Sequence, residues 1–413
     1  MYKFLVNGEE IQTEEKKNLL KFLRENLGLT SVKNGCSEGA CGTCMVILDG
    51  KAFKACVLTT DKVNGKSIIT AEGLTEREKD VFAYAFSEMG AVQCGFCIPG
   101  MVISGKALID RVPDPTPEEV KKALIGNICR CTGYVKIEQA ILLAAKLLRT
   151  GEEVPVVECK GLVGNRTHRV DAHHKTLGTG EYADDVYIEG MVYGSALRTP
   201  HPRAKFVSID TSAALQHPDV VAILTADDIP GERYLGHLKK DWPALIAQGE
   251  ETRYLGDSVA LVVATKQESL DAIKALIKVE YEVLKPVSTP QEALEPDAPS
   301  LHPTGNALFT QVLRRGRDVD EVIKESKYVF TENYFTPSTE HAFLEPECAV
   351  AEPWEDGVII YTGGQSVYDE QHECADLLGL PHEKVRVISK FVGGGFGGKE
   401  DMSVQHHAAL IAY

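Results

Sequence analysis

The first residues able to do chemistry are four cysteines. Cys36-Ser-Glu-Gly-Ala-Cys41-Gly-Thr-Cys44 is followed by Cys56, with gaps of four, two and eleven residues between successive thiols. That spacing suits a loop wrapped round a [2Fe–2S] cluster, which takes four thiolates. Gly35, Gly39 and Gly42 lie among them, and backbone without Cβ atoms lets N–H groups turn inward toward sulfur. A zinc knuckle would repeat Cys-x2-Cys or pair it with histidines, which the four-residue gap fits poorly. A second group, Cys94-Gly-Phe-Cys97 and Cys129-Arg-Cys131, precedes two helical patterns. Free N–H groups and the dipole at a helix N-terminus stabilise thiolates. Taken alone, this group leaves a redox-active disulfide or zinc open. Beside the first group, a second cluster is expected.

The elements that must position these thiols follow from the local pattern. Residues 1–10 alternate and end in Asn7-Gly8, a hairpin signal, with a second strand expected at 11–13. A helical stripe runs from Asn18 to Leu27 and stops at Gly28. Met45–Leu48, the turn at Asp49-Gly50, Lys51–Leu58 and Ile68–Thr70 supply the remaining strands of a small mixed fold. Thr75-x-x-Glu78 and Thr116-x-x-Glu119 are capping boxes that open helices. Pro99 suits the first turn of another helix, and Ile137–Leu148 gives a fourth, so a small bundle carries the second cysteine group.

Residues 151–176 are polar, weakly periodic and linker-like, and His173-His174 read as surface because adjacent side chains do not face one way. From 178 onward the pattern is mixed. Strands are expected at Met191–Leu197, Phe206–Asp210, Val220–Thr225, Ser258–Ala264 and Val279–Tyr281, with a helix over Glu268–Ile277. Pro286 to Pro303 marks a boundary. Beyond it, strands are expected at Tyr328–Phe335, Glu347–Ala351, Gly357–Thr362 and Val385–Phe391, with helices at His372–Leu378 and from His406 to the end. A chain that stops inside an apolar helix suggests a folding unit completed by another polypeptide, or a truncation.

Composition narrows the partners. The 413 residues carry 60 Asp and Glu against 44 Lys and Arg, a net charge of -16. Phosphate binding needs clustered cations, so nucleic acid and anionic membranes are excluded as main partners. Eight of the eleven cysteines precede residue 132, and Cys159, Cys348 and Cys374 read as unpaired thiols. The N-terminus lacks the apolar core of a secretory signal and no apolar run approaches the length of a spanning helix. A cytoplasmic, reduced location is therefore expected, where grouped cysteines mean metal sites.

Gly393-Gly-Gly-Phe396-Gly-Gly-Lys399-Glu400 follows a strand. It fits Gly-x-Gly-x-x-Gly, but the partner acid of a dinucleotide fold would lie beyond Tyr413. It also fits Gly-x4-Gly-Lys, yet Glu400 stands where a P-loop needs Ser or Thr for magnesium. What survives is a backbone open enough to approach a ligand and offer it N–H donors.

Two cluster motifs followed by this loop resemble the molybdenum hydroxylase family, the relatives of xanthine oxidase and aldehyde oxidoreductase. The resemblance spans the chain. It rests on the two cysteine groups, on Gln93-Cys94-Gly-Phe-Cys97-Ile-Pro-Gly and on Gly126-Asn-Ile-Cys129-Arg-Cys131-Thr-Gly-Tyr. Further motifs are Gly180-Glu-Tyr-Ala-Asp-Asp185, Leu197-Arg-Thr-Pro-His201-Pro-Arg, Glu340-His-Ala-Phe-Leu-Glu-Pro346 and the glycine loop. It implies an α+β multidomain fold: a ferredoxin-like β-grasp domain over 1–73, a four-helix [2Fe–2S] bundle over 74–153 and a linker over 154–177. An α/β hammerhead over 178–292 and the first part of the molybdenum-cofactor-binding domain over 305–413 would follow.

The resemblance also implies hydroxylation of an electron-poor carbon at molybdenum, with two electrons leaving one at a time through two [2Fe–2S] clusters held by Cys36, Cys41, Cys44, Cys56, Cys94, Cys97, Cys129 and Cys131. Gln93 and Cys131 match positions against the pterin. Phe396 matches the residue whose backbone approaches the metal, Gly395 precedes it, and Gln365 is a candidate for the same shell, with a solvent-facing amide as the alternative. Glu400 matches a carboxylate that binds and polarises purines in xanthine-oxidising members; a surface carboxylate is the alternative. The molybdopterin cofactor is expected in its cytosine dinucleotide form.

Three departures shape the expectation. The flavin domain of the family is replaced by a short linker, so FAD is not expected on this chain. Thr339 stands where xanthine oxidases have glutamine before Glu340-His341. The general base lies in a half outside this sequence. The chain is therefore read as part of a hydroxylase of an N-heterocycle such as a purine or nicotinate. The missing half and a FAD subunit or other electron acceptor would be its partners in a hetero-oligomer. An aldehyde- or CO-oxidising enzyme, or an electron-transfer subunit alone, is the alternative.

Overall fold

A computed structural model describes residues 1–156, 161, 163–165 and 167–413, which form two compact units: residues 1–191 with 341–413, and residues 192–340. Cys159, read above as an unpaired thiol, lies outside the described residues.

The first unit begins with a mixed sheet. Strands β1 (Tyr2–Val6), β2 (Glu9–Thr13), β3 (Met45–Leu48), β4 (Lys51–Lys54) and β5 (Ser67–Ile69) lie in the order β2-β1-β5-β3-β4. β1 and β5 are parallel and the other pairs antiparallel. Asn7 and Gly8, with φ of 53° and 89°, close the first hairpin, and Asp49 and Gly50 the second; two residues at positive φ match the strand twist. The expected helix is present as one α-turn, Leu19–Lys21, continued by a π-helical stretch over Phe22–Asn26. Phe4, Leu19, Leu23, Val46 and Ile68 form the core between sheet and helix.

Four helices follow: α1 (Glu76–Glu88), α2 (Ile98–Ile109), α3 (Pro117–Leu124) and α4 (Val135–Thr150). Both capping boxes form, with the hydroxyls of Thr75 and Thr116 accepting from the N–H groups of Glu78 and Glu119. α2 is buried along most of its length. Its Ile103 and Ala107 pack against Met45 and Ile47 of β3, joining bundle to sheet.

The linker expectation needs a correction. Residues 172–177 form a further helix, α5 (Ala172–Leu177), that packs on α1 and α2 and buries Lys175. His173 and His174 face outward as expected. The C-terminal part of this unit has β6 (Ala349–Trp354), β7 (Gly357–Thr362) and β8 (Val385–Ser389), with β7 antiparallel to β6 and parallel to β8. Helix α6 (Val367–Leu378) makes the crossover, and α7 (Gln405–Ala412) packs on β6 and α6.

The second unit holds a three-stranded sheet in the order Tyr193–Arg198, Ser258–Ala264, Val220–Leu224, with the helix Leu270–Leu276 over it. Ala204–Asp210 pairs with Lys278–Val283. The strand expected over Tyr328–Phe335 is not formed. Residues 307–340 are exposed throughout, and a segment rich in aromatic and β-branched residues becomes a strand only where a neighbour completes its hydrogen-bond ladder.

Candidate redox and cofactor site

The first cysteine group sits in the loop between the 19–26 helix and β3. Ser37, Gly39 and Gly42 take φ of 54°, 78° and 75°, which turns the backbone round the thiols. The N–H groups of Glu38 and Cys41 both point at Cys36 Sγ, at 3.4 Å. Partial burial raises the Cys36 thiol, but these donors outweigh it and bring it down to about 7. Cys44 is pushed up to about 12 by burial, beside Cys56.

The second group uses helix starts. Cys97 is the residue before α2, and Cys129 and Cys131 stand just ahead of α4. The hydroxyl of Thr132 donates to Cys129 Sγ at 3.1 Å, and the Cys129 N–H donates to the Tyr134 hydroxyl at 2.9 Å. Hydrogen bonds from the Cys131 and Cys97 thiols hold Cys129 down at about 2, while Cys131 and Cys97 are pushed up as the donors. Cys94 is lowered, first by the Cys131 thiol.

In the first group Cys36 meets Cys41 and Cys44 meets Cys56, while in the second the thiols run in a line, Cys94 to Cys131 to Cys129 to Cys97. Among the described residues no three His, Cys, Asp or Glu side chains gather as one mononuclear metal ion would need. Two groups of four thiols match the ligand number of two [2Fe–2S] clusters.

The two groups are stitched together. The Ile128 N–H donates to the Cys41 carbonyl at 2.8 Å, and Asn127 Nδ2 to the Gly42 carbonyl at 3.1 Å. Asn127 is itself oriented by Ser104, whose hydroxyl donates at 2.8 Å. No side chain fits in this seam. A Cβ on Gly42 would lie 2.2 Å from the Gly126 carbonyl oxygen, and one on Gly100 would lie 2.4 Å from that of Gly42.

A cavity of about 430 Å³ opens beside the second group. Gln93, Cys94 and Cys131 form one wall; Phe391, Val392 and Gly394–Phe396 form another; Arg169 and Lys175 line it together with Asp171, which pairs with both, and Lys390 lines it paired with Glu181. Its volume is within the range of small-molecule sites. Four predicted residues, Gln93, Cys131, Gly395 and Phe396, therefore meet at one cavity. Phe396 takes a φ of 59°, a strained conformation for a residue with a side chain, and is half-exposed.

Gln365 lies behind that wall rather than on it. Its Oε1 accepts from the N–H groups of Gly397 and Lys399, each at 3.2 Å, and so shapes the glycine loop. Glu400 is exposed at the loop's end and is not among the residues lining the cavity. Sequence reasoning missed the loop's second support. Glu345, 1% exposed, accepts through Oε2 from the Gly393 N–H at 2.6 Å and from Lys399 Nζ at 2.7 Å. Burial raises this carboxyl, with Lys399 opposing. Its signal was the acid before Pro346 in a motif already singled out.

Also missed was a buried ionic knot. Asp185 accepts from Arg24 at 2.9 Å and from Lys33 at 2.5 Å, while Asp184 accepts from Arg24 at 2.9 Å. Arg24 and Lys33 come from the first domain, so the knot pins the Gly180–Asp185 motif against it.

Comparison with known proteins finds four family models along the chain. Residues 4–68 match a 2Fe-2S iron-sulfur cluster binding domain and residues 70–142 a [2Fe-2S] binding domain. Residues 177–285 match the a/b hammerhead domain of aldehyde oxidase and xanthine dehydrogenase, and 301–413 a molybdopterin cofactor-binding domain. The solved structure of aldehyde oxidoreductase from Desulfovibrio gigas superposes with a TM-score of 0.93 at 30% identity, covering 100% of this chain and 48% of that one. The nicotinate dehydrogenase small FeS subunit of Eubacterium barkeri is 50% identical over 144 residues, 34% of this chain and 92% of its own length. The large molybdopterin subunit of the same enzyme is 36% identical over 257 residues, 61% of this chain and 59% of its own length. The chain spans about half the length of the aldehyde oxidoreductase.

Proposed function

The chain belongs to the molybdenum hydroxylase family of oxidoreductases, and on that premise we infer that it is the iron–sulfur and N-terminal molybdenum part of an enzyme hydroxylating an N-heterocycle of purine or nicotinate type. The observation that carries this reading is the cavity that joins Gln93 and Cys131 to Gly395 and Phe396. A pterin fits there on chemical grounds: glycine backbone for close approach, an amide at Gln93, and N–H donors on Arg169, Lys175 and Lys390 already held in place by Asp171 and Glu181. When bound, the molybdenum cofactor and the clusters supply hydroxylation with water as oxygen source and the stepwise removal of two electrons.

The chain's own residues hold and orient. The eight cysteines of the two groups would be the ligands of two clusters. Gln93 and Cys131 would hold the pterin, together with the Gly394–Phe396 backbone across the cavity. Gln365 and Glu345 keep that loop in its strained form. Glu400, one residue beyond the anchored Lys399, accepts a hydrogen bond from a ring N–H of the substrate. The hammerhead and molybdenum domains act with further polypeptide outside this sequence, and FAD, where used, is bound elsewhere. The large and small subunits of the nicotinate enzyme each match part of this chain, which supports a heterocycle and a hetero-oligomer.

The likeness to aldehyde oxidoreductase favours aldehyde oxidation as the second reading. Glu400→Gln separates the two. It is expected to lower kcat/KM for a purine or nicotinate at least tenfold while leaving a simple aldehyde nearly unchanged; equal losses remove the heterocycle argument. The cofactor assignment is tested by iron and molybdenum content of the native complex, with EPR after dithionite reduction. Two distinct [2Fe–2S] signals and molybdenum are expected, and iron without molybdenum leaves an electron-transfer protein.

A further inference from the structure

Tyr182 is 1% exposed and belongs to the Gly180–Asp185 motif. Its hydroxyl donates to the Cys94 carbonyl at 2.8 Å. Its ring stands edge-on to Phe96, within the Cys94-Gly-Phe-Cys97 turn, at 5.1 Å, and to Phe391 at 5.8 Å. Phe391 lines the cavity. The Tyr182 N–H donates to Asp185 Oδ2 at 2.9 Å, the oxygen that also takes Lys33 at 2.5 Å.

Lys33 extends the connection to the first cysteine group. Its ammonium lies 4.8 Å from the centre of the Tyr182 ring. Its carbonyl accepts from the Thr43 hydroxyl at 3.1 Å, and that hydroxyl is 3.3 Å from Cys41 Sγ. Tyr182 is thus gripped from the first domain while the one polar atom of its side chain addresses the second cysteine group.

A buried phenol must find an acceptor, and the acceptor chosen matters. Donation to a carbonyl on a ligand residue draws negative charge away from the neighbouring thiolates. A cluster gains negative charge on reduction, so such a donor favours the reduced form. No comparable phenol faces the first group among the contacts described for it, where the sulfur Cys36 is served by loop amides. The effect is therefore selective.

We propose that Tyr182 is a positioning residue that raises the reduction potential of the second cluster relative to the first, through its hydroxyl on the Cys94 carbonyl. This rests on Cys94, Cys97, Cys129 and Cys131 being the ligands of that cluster. The biased pair would draw electrons toward, and hold them at, the centre beside the cavity until an acceptor removes them from the other.

The test is an EPR-monitored redox titration of the full chain carrying both clusters. In Tyr182→Phe the midpoint of the second cluster moves to lower potential and its g values shift, while the first cluster keeps both. Unchanged midpoints, or equal movement of the two, overturn the proposal. If Tyr182→Phe loses iron, 3-fluorotyrosine placed at position 182, a stronger donor of nearly the same shape, decides: an upward shift of the second cluster alone supports the proposal and no shift overturns it. A wild-type chain with a single [2Fe–2S] signal would instead sink the ligand assignment, and the proposal with it.

Discussion

As the proposed ligands of two clusters, the two cysteine groups are shaped by different means. The first is held by backbone conformation: Ser37, Gly39 and Gly42 at positive φ bend a loop until its own amides reach Cys36. The second is held by packing: its thiols stand at the starts of α2 and α4, which share a core with Phe82, Phe86, Met101 and Ile141. A single Cβ threatens both sites, since Gly95 in the second group has a φ of 90° and a Cβ there would lie 2.6 Å from Lys175 Cβ, but the helix-end site is vulnerable in addition to loss of helix order. The lesson is that equal ligand sets can fail in different ways.

The largest expected break in this symmetry comes from removing a ligand on each side. Cys94→Ala should cost about half the iron and the second EPR signal, with the first intact; Cys36→Ala should do the converse. Loss of both signals from either variant would mean that the sites are not separately assembled. Gly42→Ala comes next. Its Cβ would meet the Gly126 carbonyl at 2.2 Å from a backbone φ of 75°, and the strained conformation alone costs about 1–3 kcal/mol. The expectation is a lower thermal midpoint and preferential loss of first-cluster iron. Retention of full iron would show that the seam yields. The smallest effect belongs to Thr75→Ala, which removes the capping hydroxyl of α1 and costs about 1 kcal/mol. It should lower the stability of the bundle in denaturant without altering the first-cluster signal.

The same contrast explains what could be read from the sequence. Cluster spacing, capping boxes and the Asn7-Gly8 and Asp49-Gly50 turns are local, and each was legible because a few neighbouring residues determine it. The four residues at the cavity were legible through the family motifs, not through any spacing that joins Gln93 to Phe396. α5 escaped because six residues give too short a stretch for helical periodicity, and the burial of Lys175 is set by α1 and α2. The Lys33–Asp185 pair spans 152 residues and has no sequence period at all. Residues 328–335 misled in the opposite direction. Tyr328, Val329, Phe330, Tyr334 and Phe335 carry strand propensity, but propensity needs a neighbouring strand to become structure.

The glycine seam also limits how such proteins can be shuffled. Residues 4–68 and 70–142 match separate domain models, as though they were interchangeable modules. Yet the Gly42 carbonyl needs Asn127 as donor and Gly100 as a bare surface to lie against. A ferredoxin-like segment transplanted from a relative would bring its own loop but not the receptor for it. Recombination between lineages should therefore keep or exchange these two segments together, with Gly42, Gly100 and Asn127 travelling as one inherited set.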